Sequence, residues 1–133
     1  MQALLFTACV TPPLRQQFNL TSVQSGQLRP LLNQTLCSAP PRCATAPGTL
    51  LSAAPCAPLA ACSSWTYDTF TYFTLTHDAT GLLLTAQGEG AAALINTADG
   101  SPSQQFIWSQ QDFTLQPASD PTLCLTAAAP GAL

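Results

Sequence analysis

A short pattern built around an aromatic residue recurs along this chain and limits how the chain can fold. The segments RQQFNL and SQQFIW place Gln-Gln before Phe18 and Phe106, and CSSWTY, around Trp65, is a more divergent third copy. The three aromatic residues are 47 and 41 residues apart. Internal repeats of this length are typical of units that cannot bury a core alone and share one core between them.

The spacing around each aromatic residue is repeated as well. Nine residues before it lie Cys9, Cys56 and Thr97. Another set lies 18 or 19 residues after it: Cys37, Leu83 and Cys124. Three units of about 44 residues therefore form a ring that is cut within the third unit. We predict a single domain over 1–133, with units at 16–63, 64–104 and 105–133 plus 1–15.

Composition favours strands over helices. The chain has 12 prolines and seven glycines, and it is rich in Ser, Thr and Gln, which favours short strands joined by turns. In the first unit we predict strands at 17–21, 27–31, 35–38 and 49–53. The opening MQALLFTACV lacks the basic start and full apolar core of a signal peptide, so we predict a strand there too. The expected fold is all-β.

Charge argues against two classes of partner. Only 7% of the residues are charged, and six acidic residues outnumber Arg15, Arg29 and Arg42. Nucleic acids and anionic membranes are bound through clustered cations, which this sequence lacks. No apolar run approaches the roughly 20 residues of a membrane-spanning helix. We therefore expect a neutral partner, with no nucleic acid and no membrane.

The threefold frame resembles the ricin B-type lectin domain. The resemblance rests on the Gln-x-aromatic segments, on the strands NQTLCSA and DPTLCLTA, and on the cysteine nine residues before two of the aromatic residues. It covers essentially the whole chain. It implies a β-trefoil of three four-strand repeats whose ends meet in an opened hairpin. It also implies that the aromatic residues pack in the core and that Gln16 and Gln104 support loops.

The six cysteines fit the same resemblance. It implies one pair within the first unit and one that joins both ends of the chain: Cys37–Cys56 and Cys9–Cys124. The two cysteines that remain lie in loops of the first unit, and we predict that they pair with each other: Cys43 and Cys62. Six cysteines allow many connectivities, so this choice rests on the resemblance and the register. A zinc site is not favoured, because His77 is the only histidine and no C-x-x-C pair exists.

The cysteines also bear on location and modification. An even cysteine count indicates an oxidising, extracellular setting, and we predict a secreted protein. Two Asn-x-Thr triplets begin at Asn19 and Asn33 and are candidate N-glycosylation sites. We expect the chain to be a module of a larger extracellular assembly.

Sugar binding in that family uses four positions in each unit, and the resemblance implies which residues hold them here. The carboxylate that accepts from sugar hydroxyls is replaced by Ala39, Thr85 and Thr126. The aromatic ring that stacks on the sugar is replaced by Ala54, Ile95 and Thr7. The family's glutamine is replaced by Ser52, Ala93 and Leu5. Its asparagine is replaced by Cys62, Ser103 and Arg15. We predict no galactose binding through these pockets.

The second unit keeps the most polar residues around the family's site. Its candidate carbohydrate-binding residues are Thr85, Gln87, Asn96, Asp99 and Gln104. The favoured function is a non-catalytic lectin-like module with degenerate pockets and a structural or protein-binding role, with a protein or a glycan as partner. The alternative is a carbohydrate-binding module with an altered site in the second unit. We expect no cofactor and no enzyme activity.

Two further segments contain residue types that can carry function, a His-Asp pair and an aromatic run. His77 and Asp78 have no nucleophile at a suitable spacing, so His77 is interpreted as a turn residue. In the aromatic segment WTYDTFTYF, alternation predicts that Trp65, Tyr67 and Phe73 point inward and pack in the core. Outward-facing Tyr72 and Phe70 would instead form an apolar surface for a partner.

Overall fold

The computed structural model describes residues 2–10, 14–20, 25–33, 35–56, 62–67, 72–109 and 111–127. Its strands are β1 (Gln2–Ala8), β2 (Phe18–Leu20), β3 (Ser25–Gly26), β4 (Leu28–Pro30), β5 (Leu36–Ala39), β6 (Ser52–Pro55), β7 (Trp65–Tyr67), β8 (Leu75–His77), β9 (Leu83–Thr85), β10 (Leu94–Asn96), β11 (Phe106–Ser109), β12 (Thr114–Pro117) and β13 (Leu123–Ala127). Short 3-10 helices occupy Leu14–Gln16, Pro41–Cys43 and Pro102–Gln104. Over the described residues no helix reaches seven residues and the sheet curls into a half-barrel, which confirms the all-β prediction.

The predicted strands of the first unit are found with shifts at their ends. The fourth strand differs most, because it begins at Ser52 rather than at Thr49. Thr49 belongs to a turn, in which its backbone N–H and its hydroxyl both donate to the Ala46 carbonyl oxygen. The strand predicted in MQALLFTACV is confirmed as β1. Thr21, at the end of the first predicted strand, lies outside the described residues.

The strands pair as two antiparallel hairpins in each unit. In the first unit β2 pairs with β4 and β5 with β6. The second unit pairs β7 with β8 and β9 with β10, and the third pairs β11 with β12. The other hairpin of the third unit joins β13 to β1, with a register that runs from Leu4↔Ala127 to Ala8↔Leu123. Strands from both ends of the sequence therefore complete one unit.

Backbone pairing links the three units in a cycle. Trp65 of the second unit pairs with Gly26 of the first unit. Phe106 of the third unit pairs with Phe73 of the second, and their two N–H···O distances are 2.8 and 3.1 Å. Phe18 of the first unit donates its backbone N–H to the Phe113 carbonyl oxygen of the third unit, at 2.8 Å. Each signature aromatic residue thus joins its own unit to the preceding one.

The fourth strands of the units make a second set of contacts between units. β1 pairs with β6, Leu50 forms a β-bridge with Leu94, and Leu5 forms one with Ala92. Each of the three units therefore touches both others through its fourth strand. Pairing at this position covers strand edges that would otherwise be open to association.

The core is built from residues that all three units supply. The signature residues Phe18, Trp65 and Phe106 are buried, and the ring of Phe6 stacks on Phe106 with 5.8 Å between centroids. Aliphatic side chains surround them: Leu4, Leu28, Leu75, Leu84, Ile95, Leu115, Leu123 and Leu125. As predicted, Phe73 is buried and Tyr67 packs against the core. Phe70 lies outside the described residues.

Three disulfides connect the predicted pairs. They are Cys9–Cys124, Cys37–Cys56 and Cys43–Cys62, with Cα–Cα distances of 5.1, 5.0 and 5.6 Å. These distances lie in the usual range for a disulfide. Disulfides persist in oxidising surroundings, so the three bridges indicate such an environment. Among the described residues there is no helix that has the length and apolar character to cross a membrane.

The Cys9–Cys124 disulfide, at β1 and β13, is expected to stabilise the fold more than the Cys37–Cys56 disulfide. Cys9 and Cys124 are 115 residues apart, whereas Cys37 and Cys56 are 19 apart. In the chain-entropy account, closing these loops stabilises by about 5 and about 3 kcal/mol. Replacing Cys9 and Cys124 with Ala should therefore lower the free energy of unfolding more than the matched pair Cys37→Ala with Cys56→Ala. Denaturant unfolding measures both losses, and equal losses would contradict the expected ranking.

Candidate functional site

Gln104, a candidate site residue, is buried and hydrogen-bonded within the fold. Its Nε2 donates to the Thr85 hydroxyl at 3.1 Å and to the Thr97 carbonyl oxygen at 2.9 Å. Its Oε1 accepts from the Asp99 backbone N–H at 2.9 Å. The Thr85 hydroxyl donates in turn to the Leu83 carbonyl oxygen. Gln104 and Thr85 are therefore engaged in holding a loop, as the resemblance implied for the glutamine.

Gln16, at the start of the first unit, makes the same kinds of hydrogen bond to residues of the third unit. Its Nε2 donates to the Ala8 carbonyl oxygen at 2.8 Å and to the Thr126 hydroxyl at 3.2 Å. Its Oε1 accepts from the Val10 backbone N–H at 2.9 Å. Thr126 donates to the Cys124 carbonyl oxygen. The two glutamines thus fix equivalent loops through equivalent contacts.

In the third unit, the residues at two of the positions that the resemblance assigns to sugar binding bond to each other. Thr126 stands at the carboxylate position and Thr7 at the stacking position, and their hydroxyl oxygens are 2.8 Å apart. Gln16 Nε2 also lies 3.3 Å from the Thr7 oxygen. The position lacks both a charged acceptor and an aromatic ring, and its hydroxyl groups already have partners.

In the first unit the same positions are filled by a disulfide. Ala39, at the carboxylate position, and Cys62, at the asparagine position, form a small buried cluster. Ala54, at the stacking position, and Cys43 pack against this cluster. Sulfur and methyl groups therefore occupy the place where the resemblance implies polar contacts. The carboxylate and stacking positions are both held by alanine, which offers neither a charged acceptor nor an aromatic ring.

The candidate residues of the second unit do not all come together. Thr85 lies opposite Leu94, and Asn96 lies opposite Leu83 at the other end of the β9–β10 hairpin. Gln87 follows β9 and its Nε2 donates to the Ala92 carbonyl oxygen. Since each strand residue advances about 3.3 Å, Gln87 and Asn96 are separated by most of the length of this hairpin. Ile95, at the stacking position, is fully buried.

Asn96 and Asp99 are the candidate residues that remain on the surface near one end of the hairpin. Asn96 Oδ1 accepts from the Thr97 backbone N–H at 2.9 Å, and Asp99 Oδ1 accepts from the Ser101 backbone N–H at 2.8 Å. Hydrogen bonding from Ser101 lowers the pKa of the Asp99 carboxyl below its usual value. Asp99 therefore presents an ionised acceptor to solvent. The hydrogen bond from Ser101 within its own loop fixes the orientation of the carboxylate.

His77 ends β8 and opens the turn that follows, as interpreted, because its carbonyl oxygen accepts from the Thr80 and Gly81 N–H groups. His77 is fully buried in β8, 5.1 Å from the Trp65 ring between centroids. Its Nε2 donates to the Cys62 carbonyl oxygen at 2.6 Å, since a carbonyl oxygen can only accept. Its Nδ1 lies 2.8 Å from the Thr80 hydroxyl, which also accepts from the Leu82 N–H. The imidazole connects two units rather than facing a substrate.

The aromatic segment is divided between core and surface. Tyr67 and Phe73 contact each other with 5.9 Å between ring centroids, and burial raises the pKa of the Tyr67 hydroxyl. Tyr72 is 57% exposed, as the alternative with outward-facing rings requires. Phe113 is also exposed, at a positive φ of 58°, a conformation that residues other than glycine rarely adopt. Sequence patterns gave no sign of this second exposed ring.

A metal site finds no support in the described part of the chain. No group of three or more His, Cys, Asp or Glu side chains there is arranged to hold an ion. The sequence patterns did not predict the Thr7–Thr126 pair or the buried imidazole. The Gln-Gln-Phe repeats could have indicated the hydrogen-bonded threonines, because Thr85 and Thr126 occupy the same register in their units.

No family model matches this chain, and the search of curated proteins returned no significant match.

Replacing Gln104 with Ala should destabilise the fold by about 2 to 3 kcal/mol, because the Thr97 carbonyl and the Asp99 N–H lose their partners. The neighbouring Gln105→Ala is the matched control, and a change within about 0.5 kcal/mol is expected for it. Denaturant unfolding reports both changes through the transition midpoint. A Gln104 variant as stable as the control would show that these hydrogen bonds do not support the loop.

Replacing His77 with Phe should lower stability by about 2 kcal/mol. Phe retains a ring beside Trp65 but leaves the buried Cys62 carbonyl oxygen without its donor. Ala79→Ser, in the exposed turn that follows, is the control and should change stability little. Thermal and denaturant unfolding measure the difference. Unchanged stability of His77→Phe would argue against a structural role for the imidazole.

Proposed function

We propose that the chain is a non-catalytic β-trefoil module of the ricin B-type lectin kind, part of a secreted protein, with a structural or protein-binding role. The cyclic pairing of Trp65, Phe106 and Phe18 with the preceding units supports a threefold arrangement. The hairpin between β1 and β13 supports units cut within the third repeat. The disulfides support a secreted location, because such bridges persist outside the reducing cytosol.

The closure of all three sugar-binding positions carries the functional part of this proposal. A cluster around a disulfide occupies these positions in the first unit. In the second unit Gln104 donates to Thr85, and in the third Thr7 bonds to Thr126. A shallow sugar site depends on a free charged acceptor and an exposed ring. Losing an acceptor that contributes about 1.5 to 3 kcal/mol removes most of a weak interaction of about 4 kcal/mol.

The described surface suits a neutral protein partner. Large apolar side chains are exposed at several places: Val10, Leu32, Leu50, Tyr72 and Phe113. Only 7% of the chain is charged, so burying this surface would remove few charged groups from water. Interfaces are enriched in aromatic residues such as the exposed Tyr72 and Phe113. These properties support a role within a larger extracellular assembly.

A carbohydrate-binding module with an altered site is the second candidate. It is favoured by Asn96 and Asp99, whose polar side chains reach solvent near the same end of the β9–β10 hairpin. The ionised Asp99 carboxylate is a suitable acceptor for sugar hydroxyl groups. No aromatic residue takes the stacking position there, because Ile95 is buried. This candidate therefore ranks below the first.

A glycan array separates the two candidates. The intact protein is expected to show no saturable binding, because none of the three units offers both a free acceptor and a stacking ring at the family's positions. Saturable binding that is lost in Asp99→Ala and kept in Glu89→Ala would overturn the structural proposal. Glu89 is the matched control, since it is an exposed acidic residue of the same unit.

A further inference from the structure

Two turns of the chain have nearly the same geometry. In the first unit, Asn33 Oδ1 accepts from the Thr35 hydroxyl at 2.6 Å and from the Thr35 backbone N–H at 3.2 Å. In the third unit, Asp120 Oδ1 accepts from the Thr122 hydroxyl at 2.5 Å and from the Thr122 N–H at 3.2 Å. The flanking backbone bonds agree too, since Leu36 N–H donates to Asn33 at 3.2 Å and the equivalent bond to Asp120 is 3.1 Å.

The difference between the two turns is chemical rather than structural. Each turn needs one side-chain oxygen, which either an aspartate or an asparagine supplies. Asn33 adds an amide nitrogen, Nδ2, for which no acceptor is found within the described part of the chain. Asn33 and Thr35 are both exposed. An exposed asparagine two residues before a threonine is the acceptor sequence for N-linked oligosaccharides.

Asn19, which begins the other triplet, has different surroundings. It lies within β2, where it pairs with Arg29 of β4, and its side chain is only partly exposed and has an interaction of its own. Thr21, which completes that triplet, lies outside the described residues. A glycan on Asn19 would have to leave from the middle of a paired strand, whereas one on Asn33 leaves from a turn.

We propose that Asn33 is the N-glycosylated residue of this protein and that Asn19 is not modified. This inference rests on the secreted location in the proposed function. The donor is an oligosaccharide carried on a lipid diphosphate. The bond between the sugar anomeric carbon and the diphosphate oxygen breaks, and a bond between that carbon and Asn33 Nδ2 forms. Nδ2 loses one proton to the transferase, and the lipid diphosphate leaves with the bonding electrons.

The neighbouring surface would benefit from this modification. Leu32, directly before Asn33, is 58% exposed, one of the most exposed large apolar side chains of the described chain. A glycan on Asn33 would cover it with a solvated polymer. The turn itself is anchored, because the Thr35 carbonyl oxygen accepts from the Cys56 N–H beside the Cys37–Cys56 disulfide. The glycan would therefore be held at a defined place on the first unit.

The test is expression of the full chain behind an added, cleavable secretory signal peptide in eukaryotic cells, followed by peptide N-glycosidase digestion and mass spectrometry of the exported protein. One glycan on Asn33 is expected. Asn33→Asp should remove it while keeping the turn, as Asp120 shows, so its thermal midpoint should match that of the deglycosylated protein. Thr35→Ala should also abolish the glycan and Thr35→Ser should retain it. Asn19→Gln should leave the mobility shift unchanged.

A gain of function provides the sharpest control. The double variant Asp120→Asn with Pro121→Gln places the acceptor sequence of the first unit in the equivalent turn of the third, and a second glycan is expected there. A chain that stays singly modified would contradict the inference that this turn geometry admits the reaction. An exported, disulfide-bonded chain with a bare Asn33 would overturn the glycosylation proposal and leave the proposed function standing. A chain that is retained behind the added signal peptide with its cysteines unpaired would refute the secreted location and this inference with it.

Discussion

The cyclic backbone pairing of the signature aromatic residues is the constraint on which the rest of the structure depends. Each of Phe18, Trp65 and Phe106 is buried within its own unit and pairs through its backbone with the preceding one. Removing any unit would leave one neighbour with an open strand edge and another with an exposed ring. Both outcomes are costly in water. The three units are therefore expected to fold as one cooperative body.

The contacts between the first and second units form without a signature glutamine. Ser63 takes the glutamine position and is too short to reach the carbonyl groups that Gln16 and Gln104 contact. Gln27 donates to the Ser63 hydroxyl at 3.2 Å instead. Trp65 and His77 supply further donors, to carbonyl oxygens of the first unit. Several side chains thus take over the hydrogen bonds of one amide. The fold is therefore kept at this boundary although the sequence of this copy diverges most from the other two.

Sequence register predicted the features that repeat, and it missed the hydrogen bonds of His77 and Thr49. The spacing of Cys9 and Cys124 from the aromatic residues led to the correct pairing and to β1, because a repeat fixes equivalent positions in space. The burial of His77 could not be predicted, since the carbonyl oxygen that its Nε2 contacts, that of Cys62, lies in the preceding unit and nothing in the local sequence marks it. The fourth strand of the first unit was placed too early because the turn at Thr49 uses a local hydrogen bond that β-propensity ignores.

The three closed positions differ in how they could be reopened. In the third unit a pair of hydroxyl groups would have to be separated, and in the second an isoleucine would have to leave the core. In the first unit Ala39 and Ala54 pack against a covalent bond between Cys43 and Cys62. A new acceptor introduced at Ala39 would meet sulfur, and making room for it would mean cutting a crosslink. Introducing a polar group would therefore require more change at the position in the first unit than at the other two.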